Sequence, residues 1–81
     1  MITSAQLRAA RALLGIDQRV LAEQAGLSLP TIQRMEASPD VIRANVDSLM
    51  KVIAALDRAG LELISPGSDS SGGGRGVRLR R

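Results

Sequence analysis

The sequence predicts an all-α domain of four helices followed by a short C-terminal β-strand or hairpin element. Apolar residues recur at helical spacing through residues 4–59. Three times a residue able to cap a helix stands just after one apolar residue and four before another. These are Thr3 between Ile2 and Leu7, Asp17 between Ile16 and Leu21, and Ser28 between Leu27 and Ile32, the spacing of a hydrophobic staple. Beyond Gly60 the pattern becomes alternation, in residues 61–64 and 77–80, with a Gly/Ser-rich run between.

Helix 1 is expected from Ser4 to Leu14. Thr3 caps it, Gln6 completes a capping box, and Gly15 ends it. Leu7, Ala10, Leu13 and Leu14 form its apolar stripe. Helix 2 starts at the cap Asp17 and runs to about Gln24. Helix 3 starts at the cap Ser28 and runs to about Ala37, with Pro30 in the first turn, where a missing N–H costs little. Residues 38–45 read as a loop, because Ser38-Pro39-Asp40 disfavours helix. Helix 4 covers residues 46–59, capped by Asn45 and stopped by Gly60. Val46, Leu49, Met50, Ile53 and Leu56 share one of its faces and are expected to pack on helices 1 to 3. Residues 65–76 read as a flexible linker. The chain therefore divides into a helical domain, 1–60, and a C-terminal segment, 61–81.

Composition narrows the function. Eighty-one residues make one small domain with a modest core. With no Cys and no His, there are no disulfides, none of the usual zinc sites and no His-based catalysis. No paired carboxylates suggest an enzyme, and no cofactor or metal is implied. The absence of Phe, Tyr and Trp weighs against single-strand or RNA-loop binding, which stacks bases on aromatic rings, but not against duplex grooves. No apolar run is long enough to span a membrane. With no leader pattern visible, a cytoplasmic, nucleoid-associated protein is expected. The net charge of +3 is unevenly placed. Residues 1–64 balance seven basic against seven acidic side chains, and residues 65–81 carry Arg75, Arg78, Arg80 and Arg81 against Asp69.

Residues 17–36 carry the functional signal. They read as two short helices joined by a tight turn at Ala25-Gly26-Leu27, with Leu21, Ala22, Ala25, Leu27 and Ile32 where crossing helices touch. This is the layout of a helix-turn-helix, whose second helix enters the major groove of DNA and reads bases near its N-terminus. Here that region offers Ser28, Leu29, Pro30, Thr31 and Gln33, with Arg34 one turn on. Arg pairs with guanine and Gln with adenine, while Leu29 and Pro30 can only press on thymine methyls. Gln18, first in helix 2, can present its amide and the helix N-terminus to a phosphate. Arg43, in the loop before helix 4, is a further candidate phosphate contact. Taken alone, Gln33 and Arg34 would be ordinary solvated residues, and Leu29 a core or protein contact; the surrounding pattern gives them their DNA reading.

From Leu7 to Leu56 the chain resembles the lambda-repressor-like, phage-repressor/Cro regulators, the XRE family. The matching residues are Leu7, Arg11, Gly15, Gln18, Leu21-Ala22, Ala25-Gly26-Leu27-Ser28, Thr31-Ile32, Glu36, Leu49, Ile53 and Leu56. The resemblance implies a phosphate contact for Gln18, base reading by Leu29, Pro30, Gln33 and Arg34, and a phosphate contact for Thr31. It also implies a buried ion pair between Arg11 and Glu36 that joins helix 1 to helix 3. The family's usual Gly after the Glu is replaced by Ala37-Ser38-Pro39, and the following loop is longer than usual.

Three roles remain open for the tail. Residues 61–64 and 77–80 can pair as strands, within one chain or between two, and Leu61, Leu63, Val77, Arg78, Leu79 and Arg80 would then build a dimer interface. The need of small sheets for a third strand or a packed face favours pairing between chains. The arginines can instead form a DNA arm, or the tail can be disordered. The expected function is sequence-specific binding of double-stranded DNA as a homodimeric repressor reading a palindromic site. The alternative is an antitoxin or adaptor that grips a second protein and regulates its own gene through the helix-turn-helix. A structural nucleoid protein fits the neutral body less well.

Overall fold

The computed structural model describes residues 2–64 and 75–80. Most of the expected linker, residues 65–74, lies outside the described residues, as does Arg81 of the expected arginine arm. The elements are α1 (Ser4–Leu14), α2 (Gln18–Ala25), α3 (Leu29–Ala37), α4 (Val46–Arg58), β1 (Leu61–Ile64) and β2 (Gly76–Leu79).

Each helix starts where a side chain satisfies its unpaired N–H groups. The Thr3 hydroxyl accepts from the Gln6 amide at 3.1 Å, and Gln6 Oε1 accepts from the Thr3 amide at 2.9 Å. Asp17 accepts from Val20, Ser28 from Thr31 and Asn45 from Ser48 in the same way. Helices α1 and α2 end on Gly15 and Gly26, both in the left-handed conformation at φ 69°. Helix α3 has no such glycine. Ser38 leaves it in extended conformation, its hydroxyl donates to the Arg34 carbonyl, and its own carbonyl accepts from the Ser4 hydroxyl. The positive φ moves two residues on, to Asp40 at 108°. The extra loop length is held against the chain's start: Ser4 N–H donates to Asp40 O, and Ile42 N–H donates to Ile2 O.

Ile2, Leu7, Leu21, Ile32, Met35, Val52 and Leu56 fill the centre, with Ile42 and Leu61 beside them. Two sequence expectations fail here. Leu13, assigned to the stripe of α1, is 47% exposed. On α4, Val46 and Met50 are exposed, and the buried face is Leu49, Val52, Ala55 and Leu56. Both faces are apolar at helical spacing, so periodicity alone does not choose between them. The small Ala55 opposite α2 suits the close approach of the two helices.

The two strands pair antiparallel within one chain, Leu61 opposite Leu79 and Leu63 opposite Val77. The packed face that such a ribbon needs comes from its own core: Leu61 is buried, and Leu63 and Val77 pack against the helices. Gln6 ties the ribbon to α1. Its amide nitrogen donates to Ile64 O at 3.2 Å and to Gly76 O at 3.0 Å, while its oxygen serves the capping box. Gln6→Glu replaces that donor by a charged acceptor facing two carbonyls, and is expected to destabilise by about 1–3 kcal/mol. Hydrogen exchange at β1 and β2 checks it, with faster exchange there than in α2 and α3.

On the outer face of the ribbon, Arg78 Nε lies 2.7 Å from Glu62 Oε1, and this hydrogen bond, followed by the charge of Arg78, lowers the Glu62 pKa. A depressed carboxyl adds stability above the ordinary glutamate value of 4.5 and loses it as pH falls through the lower folded value. An acid titration followed by NMR should therefore move the Glu62 and Arg78 signals below that value and leave them flat at neutral pH.

Candidate nucleic-acid interface

The site is built around one carboxylate. Glu36, in the last turns of α3, has a side chain 4% exposed. Its Oε2 receives Arg11 Nε at 2.6 Å and its Oε1 receives Arg11 Nη2 at 2.9 Å. This is a two-pronged pair of the kind Arg forms best. The hydrogen bond to Glu36 is the main cause that raises the Arg11 pKa. Arg11 also donates to the Ile16 carbonyl between α1 and α2, and Arg8 donates to the backbone carbonyl of Glu36 at 2.6 Å. The expected Arg11–Glu36 pair thus joins α1 to α3.

Gln18 also reaches this carboxylate, donating from Nε2 to Glu36 Oε1 at 3.1 Å. Its amide nitrogen therefore positions α2 against α3.

With Ile32, Met35 and Glu36 buried, α3 turns Pro30, Gln33 and Arg34 to solvent, with Leu29 and Thr31 half-buried at the margin. Ser28 and Thr31 share a hydrogen bond between hydroxyls at 2.8 Å, and Arg34 Nη2 donates to Thr31 Oγ1 at 3.3 Å. A line of polar groups thus runs along the outer side of α3. Arg43 is exposed and lines a cleft with Thr31, Arg34, Met35, Ala44, Asn45 and Ser48. Asn45 and Ser48 were not singled out by sequence. Asn45 was legible only as a cap, because nothing in the sequence places the start of α4 beside α3.

Two of the tail arginines, Arg78 and Arg80, are engaged in the fold. Arg78 pairs with Glu62, and Arg80 Nη1 lies 2.9 Å from Asp57 Oδ1 and also donates to the Leu61 carbonyl. Leu61, Leu63 and Val77 face the core, and Leu79 is 36% exposed.

Two short helices crossing through small residues at a glycine turn, the second with a polar outer face, define a helix-turn-helix domain. A helix-turn-helix family model (HTH_3) matches residues 7–63, and the chain belongs to this family. It is a Cro-like, XRE-type DNA-binding transcription regulator. No curated protein matches the chain. Among the described residues no helix is long and apolar enough to cross a membrane.

Removing Arg11 leaves the nearly buried Glu36 carboxylate without its ion-pair partner, with only the neutral amide of Gln18 still donating to it. Arg11→Met is expected to lower stability by about 3 kcal/mol in urea denaturation. The double variant Arg11→Met/Glu36→Leu should recover much of that loss.

Proposed function

We propose that this regulator is a homodimeric repressor that reads a palindromic duplex with α3. The observation that carries the reading is the shared exposure of Pro30, Gln33 and Arg34 on one face of α3, next to Arg43 and the N-terminus of α4. Gln33 and Arg34 have the length and donors for base edges, and Pro30 and Leu29 supply apolar contact to thymine methyls. Ser28, Thr31 and Arg43, with the starts of α2 and α4, are suited to phosphates. Gln18 acts mainly by fixing α2 on Glu36. One helix per copy reads only a few base pairs, so two copies on half-sites about 10 base pairs apart, or a multiple, give the selectivity a regulator needs. Occupying such a site blocks a promoter.

Selection from a random duplex library at physiological salt tests this. The wild-type chain should enrich a two-fold-symmetric sequence. Arg34→Ala should relax one position per half-site, a loss of about 1–3 kcal/mol in discrimination. Uniform weakening over all sequences would reduce Arg34 to a phosphate contact, and no enrichment by the wild type would end the reading.

A further inference from the structure

Four large apolar side chains on the described surface stand in solvent: Leu13, Val46, Met50 and Leu79. Two of them are neighbours one turn apart on α4, Val46 at 73% and Met50 at 58% exposure. The half-buried Ile53 continues their row at the next turn. An apolar row thus runs about 10 Å along α4, and it ends at a cleft where Ile53 and Leu63 meet the charged Asp57, Glu62 and Arg80. The neighbouring face of α4, Leu49, Val52 and Leu56, already fills the core, so folding does not require this second face. A contiguous apolar patch left in water marks a contact surface.

We propose that this face of α4 docks on the same face of a second copy, across a two-fold axis near Met50. The inference rests on the homodimeric reading above and adds the surface that makes the dimer. Charge supports a second copy as the occupant. Asp47 and Lys51 flank the row, exposed and 3.4 Å apart. One charge of each sign lets two α4 helices crossing antiparallel set Asp47 against Lys51 of the partner subunit, with no net charge to repel. DNA is not the occupant, because Val46, Met50 and Ile53 offer phosphates nothing. Position also supports it: Asn45, next to Val46, shares its cleft with Arg34 and Arg43. Copies that meet at α4 hold their candidate DNA faces side by side.

Three apolar side chains, Val46, Met50 and Ile53, fall well short of the about 800 Å² per partner buried in a standard interface. The contact is therefore weak alone and is completed when two half-sites hold the copies together, which raises their effective concentration.

The chain has no cysteine, so a single introduced thiol reports on one surface. Met50→Cys, Leu13→Cys and Leu79→Cys are made in the full chain and oxidised mildly. The Met50→Cys protein should cross-link about ten-fold faster than the Leu13→Cys protein. In sedimentation equilibrium, Met50→Glu should raise the dimer dissociation constant about ten-fold, with circular dichroism and thermal unfolding unchanged. Equal cross-linking at Met50→Cys and Leu13→Cys, preferential cross-linking at Leu79→Cys, or unchanged self-association of Met50→Glu would each overturn the proposal. Anisotropy with a random-sequence duplex separates the two readings. Cross-linking at Met50→Cys without duplex binding removes the DNA reading alone, and duplex binding without cross-linking removes the α4 contact alone.

Discussion

The fold depends most on the carboxylate of Glu36. A nearly buried charge is tolerable only with partners, and here they come from two helices: Arg11 from α1 with two bonds and Gln18 from α2 with one, while Arg8, also on α1, holds the backbone carbonyl of the same residue. Apolar packing would hold three short helices together in more than one rotation. Directional bonds converging on one residue permit far fewer. Because Glu36 lies on the same helix as Gln33 and Arg34, the constraint that joins the helices also fixes which way the candidate reading face points.

Much of this was legible in the sequence because local and long-range signals agreed. Thr3, Asp17, Ser28 and Asn45 were each expected as caps and each caps its helix. The small residues at the α2–α3 turn and the Arg11–Glu36 pair also stand as expected. The misses share one cause. Periodicity identifies an apolar face but not the neighbour that covers it. Helix α4 is apolar on two faces, and the exposure of Val46 and Met50 is decided by how Ala55 and Val52 meet the other helices. The pairing of β1 with β2 inside one chain is of the same kind, since it depends on Gln6, a residue almost sixty positions away from Ile64, which sequence marked only as part of a cap. Ile42 in the loop was missed because no periodicity exists there to reveal it.

The structure also changes the meaning of the charge. The sequence places its excess of arginine in the tail, yet Arg78 pairs with Glu62 across the two strands, and Arg80 pairs with Asp57 and holds the ribbon to α4. Cations beside the candidate DNA face are few, chiefly Arg34 and Arg43. Each neutralised phosphate adds roughly 0.9 to the salt slope of binding, so one copy with so few contacts binds duplex weakly. In the proposed dimer two copies would double the contacts, which would tie DNA affinity to self-association and give the exposed face of α4 its significance.

The central claim is that the outer face of α3 reads base edges in the major groove. The most direct measurement compares binding to the selected duplex with binding to the same duplex carrying 7-deazaguanine, which lacks the N7 acceptor of the major groove. The account predicts a marked loss of affinity at the guanine facing Arg34 and no loss when only minor-groove groups are altered. Indifference to the missing N7, with sensitivity to minor-groove changes, would contradict it.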